Sequence, residues 1–212
     1  MIYPCRGKCP RKIAEIMILK NLIIATSNKG KFRDFEKLFA AYGKNLAENL
    51  IFAPDAAKLI VEETGKTYEE NAILKAQAWS KNSGLPSLAD DSGLEVEALD
   101  GAPGLFSARV SKRNEAAWIL NELKNIENPE KRRAKFVASL ALFISDEKIL
   151  TADGFCAGTI IKESRGSNGF GYDPVFIPDG YDKTFAELEP EIKNSISHRT
   201  RAFLNLISKI KA

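Results

Sequence analysis

The sequence predicts an α/β fold on a mixed β-sheet, and three observations carry that prediction. Residues 134–144 alternate, with Ala134, Phe136, Ala138, Leu140, Leu142 and Ile144 on one face, which is the period of a strand. Residues 29–42 instead place Phe32, Phe35, Leu38, Phe39 and Tyr42 at helical spacing. The two periodicities interleave along the chain without a strict repeat, the pattern of helices packed on a sheet of mixed direction.

Taken in order, residues 22–26 form a short apolar run ending in small polar residues, a strand that hands over through a tight loop to the helix 29–42. Residues 50–53 and 59–61 read as short strands. Thr67 and Glu70 then make a T-x-x-E capping box ahead of a helix whose inner face carries Ala72, Ile73, Ala76 and Trp79. Residues 87–89 and 94–99 read as two strands flanking an acidic turn, Asp90-Asp91-Ser92-Gly93. Residues 114–123 return to helical spacing through Ala116, Ile119, Leu120 and Leu123. The strand 134–144 and a partner at 148–161 are joined by the turn Ser145-Asp146-Glu147. A Gly-rich stretch at 166–180 precedes a closing helix that carries Ile196, Phe203, Leu206, Ile207 and Ile210.

Composition narrows the function classes. At 212 residues the chain can bury a full core, and one compact unit over residues 18–212 is expected. Hydrophobic residues make up 44% and charged residues 28%, close to an average soluble chain. The 31 basic residues are scattered among 28 acidic ones, so a formal charge of +3 argues against a nucleic-acid surface. No apolar run approaches the roughly 20 residues of a membrane span. Residues 1–17 carry Arg6, Lys8, Arg11 and Lys12, but the apolar run that follows is broken by Glu15 and lacks a small-residue cleavage site. They are expected to form a short extension outside the folded unit, with Met17 as an alternative start. Cys5, Cys9 and Cys156 lack the spacing of a zinc site or disulfide framework, which fits free thiols in a reducing, cytoplasmic setting.

Four constellations carry chemistry. Thr26-Ser27-Asn28-Lys29-Gly30-Lys31 stands where a strand meets a helix N-terminus, a place that favours anions, and its lysines suit phosphate. It is not a Walker A loop, which needs Gly at Ala25 and Ser or Thr at Phe32, and taken alone it is equally a solvated turn. Glu62-Glu63 before Thr64-Gly65 and Asp90-Asp91 before Ser92-Gly93 form an oxygen-rich set that suits Mg²⁺ with substrate phosphates completing the shell. Neighbours on an extended strand point to opposite faces, so one member of each pair is expected to face the site. Gly169-Phe170-Gly171-Tyr172-Asp173-Pro174 pairs two flexible positions with two rings able to stack on a base, or to fill a core. Lys193 with Ser197-His198-Arg199 supplies polar groups, and His198, the sole histidine, rules out a His-rich metal site.

These blocks in this order, with Glu70-Asn-Ala-Ile-Leu-Lys-Ala76 and Gly101-Ala-Pro-Gly-Leu-Phe-Ser-Ala-Arg109 between them, resemble the inosine triphosphate pyrophosphatase family, the non-standard purine NTP pyrophosphatases. The resemblance runs from about Leu22 to Ile210. It implies an elongated mixed sheet flanked by helices, two lobes with the active site in the cleft between them, and a homodimer. It implies that Thr26, Ser27, Asn28, Lys29, Gly30 and Lys31 bind the triphosphate, that Lys75 adds a phosphate contact, and that Glu62 and Asp91 hold Mg²⁺. Asp91 matches the proton acceptor and Ser92 a substrate contact. Phe170, Gly171, Tyr172 and Asp173 match the nucleoside pocket; Lys193, His198 and Arg199 match further base and phosphate contacts, and Arg109 a position that is often basic. Ser27 departs from the glycine many members carry, a small change in a small loop.

The implied reaction is attack of water on the α-phosphorus of ITP, dITP or XTP, releasing pyrophosphate, with adenine rejected because its amino group replaces the O6 acceptor. Two other readings stay open: a pyrophosphatase of related fold acting on dTTP, UTP or modified pyrimidine nucleotides, and a sensor that binds a triphosphate without cutting it.

Overall fold

The computed structural model describes residues 18–111 and 114–211; the extension expected over residues 1–17 lies outside them. The elements run β1 (Leu19–Ile24), α1 (Lys29–Tyr42), β2 (Ala47–Phe52), a one-turn α2 (Ala53–Ala56), α3 (Tyr68–Ser83), β3 (Ser87–Val96), α4 (Glu115–Glu122), β4 (Arg133–Ser145), β5 (Lys148–Ile160), β6 (Phe176–Pro178), α5 (Pro190–Ile196) and α6 (His198–Lys211). The strands form one six-stranded mixed sheet in the order β2-β1-β3-β4-β5-β6. β1 pairs in parallel with β2 and β3, and every pair from β3 to β6 is antiparallel. None of the described helices is long and apolar enough to cross a membrane.

Strand alternation sorts the core into three parts. Leu22 and Ile24 of β1 and Leu88 of β3 pack under α1 and α6 with Phe35, Phe39 and Phe203, while Ile23, Ala25 and Ala89 face the other way onto Ala72, Ala76 and Trp79 of α3. The far halves of β3, β4 and β5 build a separate core with α4, Phe176 and Phe185. Two lobes result, joined by the long strands β3 and β4.

Local sequence explains most helix ends. Asn28 caps α1, its Oδ1 accepting from Gly30 N at 2.7 Å and Lys31 N at 3.2 Å. Thr67 caps α3 as the capping box predicts, accepting from Glu70 N at 3.1 Å, although the Glu70 carboxylate returns to Lys66 N at 2.6 Å and not to Thr67.

Three expectations are corrected. Residues 59–61 are not a strand, because β2 is the sheet edge and no strand lies beside it. The acidic segment 90–93 is not a turn: β3 runs unbroken through it, paired with Ser139 and Leu140 of β4, because its carboxylates meet cations from distant parts of the chain. The closing helix is two helices, since Ser197 is extended and its Oγ accepts from Thr200 N at 3.2 Å, capping α6.

Candidate active site

The site exists because β1 is short. β1 contacts β3 only through Ser87 and Leu88, so from Ala89 onward β3 has an open edge facing the loop that enters α1. Adjacent side chains of β3 point to opposite faces, yet both reach the space beside this edge. Asp90 faces α1 and α6, and Asp91 faces α3. The expectation that only one aspartate belongs to the site is corrected accordingly, and the edge carbonyl Asp90 O accepts from Lys75 Nζ at 2.9 Å.

Asp90 is fully buried and collects cations from two elements. Its Oδ2 lies 3.0 Å from Lys31 Nζ and 3.1 Å from both Arg199 Nε and Nη2. Burial alone would raise its pKa, but Lys31 and then Arg199 outweigh burial and hold the carboxyl far below the usual range. Arg199 Nη1 also meets Asp34 at 2.7 Å, and its Nη2 approaches Ser92 Oγ at 3.4 Å.

On the other face, Lys75 Nζ lies 2.7 Å from Asp91 Oδ1 and 2.7 Å from Glu63 Oε1. Burial lifts the Asp91 carboxyl above the ordinary range against the pull of Lys75, while Lys75 itself is raised because Asp91 and Glu63 outweigh its desolvation. Glu63 also pairs with Arg109. Of the acidic pair before Gly65, Glu63 reaches this cluster, and the expected ligand Glu62 is exposed. Thr26, Ser27, Asn28, Lys31, Glu63, Lys75, Asp91 and Arg109 line one cavity of about 330 Å³. Lys29, at the first position of α1, is exposed and lines neither this cavity nor its neighbour.

The neighbouring cavity shares Asn28, Lys31 and Ser92 with the first and continues to Phe170, Gly171, Tyr172, Asp173, Lys193, His198 and Arg199. Phe170 lies against Gly30, where a Cβ would stand 2.8 Å from its ring, so the glycine lets the ring rest on the loop that enters α1. Asp173 Oδ2 accepts from Phe170 N at 2.7 Å and from Lys193 Nζ at 2.6 Å, which fixes the turn carrying the ring. Tyr172 is a wall residue, buried beside Phe136, with its hydroxyl donating to Ser107 O at 2.9 Å. His198 stacks on Phe136 at 4.8 Å and 12°. Burial, then Arg199, drives its pKa well below the ordinary value, so the ring is neutral, and its buried Nδ1 has no partner among the described residues.

Sequence reasoning did not single out Asp34, which anchors Arg199, or Asn71, which donates to Asp91 Oδ2 at 3.3 Å. Both stand one helical turn from a residue it did find, Asp34 three after Lys31 and Asn71 four before Lys75, and that spacing was the available signal.

The profile of the Ham1 family matches residues 22–209. A dITP/XTP pyrophosphatase of Aquifex aeolicus is 45% identical over 201 residues, spanning 90% of this chain and 96% of that protein. The structure of the Staphylococcus aureus Ham1 protein superposes with a TM-score of 0.76 at 39% identity, covering 91% of this chain and 98% of that one. A HAM1 protein from Coxiella burnetii gives 0.77 at 36% identity over the same shares. This chain belongs to the Ham1 family.

Proposed function

We propose that the chain hydrolyses non-standard purine nucleoside triphosphates (dITP, ITP and XTP) to the monophosphate and pyrophosphate, cleansing the pool from which DNA and RNA are made. The observation that carries this reading is the join of the two cavities at Asn28, Lys31 and Ser92, with lysines and carboxylates on one side and aromatic walls on the other. A nucleotide has that same division. The name dITP/XTP pyrophosphatase, borne by relatives such as the Aquifex aeolicus protein, supports the substrate class.

Mg²⁺ is part of the proposal. Lys31, Lys75, Arg109, Lys193 and Arg199 pair with Asp34, Glu63, Asp90, Asp91 and Asp173, five charges against five, so a bound triphosphate brings negative charge that these side chains leave uncompensated. Asp90 Oδ1 is buried without a partner among the described residues. No group of three or more His, Cys, Asp or Glu among those residues forms a cage for a metal, and Mg²⁺ suits such a site because one or two carboxylates plus phosphates suffice. Asp91 and the Glu62–Glu63 pair, of which Glu63 faces Asp91 here, would hold it. When bound it would neutralise phosphate charge and make a water molecule more acidic.

Asp91 takes the proton of the attacking water from its place at the open edge of β3, where Lys75 and Asn71 hold its two oxygens. The new bond forms at the α-phosphorus, the bond to the α–β bridging oxygen breaks, and pyrophosphate leaves. Lys31, Lys75 and the first amides of α1 stabilise the developing charge, with phosphate competing for the amides that Asn28 now caps. Arg199 already commits Nε, Nη1 and Nη2 to Asp90, Asp34 and Ser92, whereas the neutral His198 ring, whose buried Nδ1 has no partner among the described residues, lines the same cavity with a group open to the base edge. A cytoplasmic homodimer acting on free nucleotide rather than nucleic acid completes the reading, supported by the family resemblance and the nearly balanced charge.

Hydrolysis of dITP in ¹⁸O-labelled water tests the site of attack. The label is expected in the monophosphate, and label in the pyrophosphate would mean attack at the β-phosphorus and a different placement of the nucleotide.

A further inference from the structure

Asn71 is 3% exposed and lies one turn before Lys75 on α3. Its Oδ1 accepts from Gly65 N at 2.8 Å. A backbone amide only donates, so this bond fixes which end of the side-chain amide faces Gly65 and leaves Nδ2 to donate to Asp91 Oδ2 at 3.3 Å. Lys75 meets the other oxygen, Asp91 Oδ1, at 2.7 Å. Two donors on one helix face thus take one oxygen each, which sets the plane of the carboxylate as well as its place. On the loop side, a Cβ at Gly65 would stand 2.6 Å from Asn71 Oδ1, so the close approach requires glycine. Two residues earlier in that loop, Glu63 reaches Lys75. Asn71 lines neither cavity of the site.

We infer that Asn71 is a positioning residue for the hydrolysis: it clamps the Asp91 carboxylate in the orientation from which it accepts the proton, and latches to the same helix the loop that carries Glu63. The inference rests on the role of Asp91 under Proposed function. It is tested on the full chain with Asn71→Asp, which keeps the acceptor for Gly65 N but replaces the donor to Asp91 by a second carboxylate, and with Asn71→Leu, which removes the donor without adding charge. Turnover of dITP with Mg²⁺ is measured beside dITP affinity in chelator and the unfolding midpoint. Both variants are expected to lower kcat by about tenfold or more, the scale of a lost hydrogen bond to a charged group. KM and affinity in chelator are expected to stay within about threefold, because the nucleotide contacts are untouched. A folded Asn71→Asp with wild-type kcat, or one that loses affinity in step with kcat, overturns the inference. If Asn71→Leu fails to fold, the smaller uncharged Asn71→Ala takes its place beside Asn71→Asp. Wild-type protein that does not turn over dITP overturns the underlying reading, whereas active wild type with unaffected variants overturns the clamp alone.

Discussion

Lys75 Nζ stands 2.7 Å from Asp91 Oδ1, and the same ammonium stands 2.7 Å from Glu63 Oε1. One cation on α3 therefore holds two carboxylates from separate segments against each other at the open edge of β3. In the proposed mechanism the pair supplies the base and the cation-binding oxygens, and several consequences are open to measurement.

Asp91→Asn keeps the shape but cannot take a proton, and its single amide oxygen can accept from Lys75 or from Asn71 but not from both. It should lower kcat for dITP by about 10²–10⁴-fold while leaving nucleotide affinity nearly unchanged. Steady-state kinetics beside equilibrium binding check this, and equal activity in the variant would remove Asp91 from the mechanism.

Lys75→Met leaves the buried Asp91 and the half-buried Glu63 facing each other without their shared cation, with only Glu63 still paired, to Arg109. Urea unfolding should show a loss of about 3 kcal/mol. Added Mg²⁺ should restore part of that loss in the variant, because a second cation then meets the same carboxylates.

Asp90 sets the acid limit of stability. Its folded pKa is depressed below the unfolded value of about 3.9, so its contribution is complete above about pH 4 and is lost as pH falls through the folded value. Asp91 and Asp173 are raised by burial and act in the opposite sense, their contributions being present below about pH 4 and lost as pH rises through their folded values. Asp90→Asn should therefore flatten the fall in stability below about pH 4, and unfolding free energies taken across that range in both proteins read the difference directly.

Phe170→Ala removes the ring between Gly30 and Lys193, whose Nζ lies 5.3 Å from its centre. A lost base stack of about 1–2 kcal/mol should raise KM for dITP roughly tenfold, with a smaller effect on kcat. A kcat loss without change in KM would place the base elsewhere.

Elements whose cause is local were legible in the sequence. Helix α1 was read with its observed bounds because five apolar residues and the preceding polar loop announce it, and the hairpin of β4 and β5 because alternation and a turn adjoin. Segment 90–93 was misread because Asp, Ser and Gly together are turn chemistry, whereas the partners that keep it extended, Lys31 and Arg199, lie 59 residues before and 109 residues after Asp90. The break at Ser197 was missed because the apolar spacing of α6 continues back to Ile196 across it. In the candidate site, the loop that enters α1, Lys75 and Asp91 were singled out, whereas Asp90 was set aside by the expectation that one member of the pair faces the site. That Glu63 and not Glu62 meets Lys75 was not legible, since it depends on the path of a loop that no periodicity describes.

Product release from dITP, ITP, XTP, dTTP, ATP and GTP, measured as pyrophosphate and as orthophosphate, with Mg²⁺ and with chelator, tests the central claim most directly. The account predicts metal-dependent pyrophosphate from dITP, ITP and XTP and little from the rest. Measurable dITP binding with no release from any substrate would contradict it in favour of a sensor, and release mainly from dTTP would contradict the purine pocket.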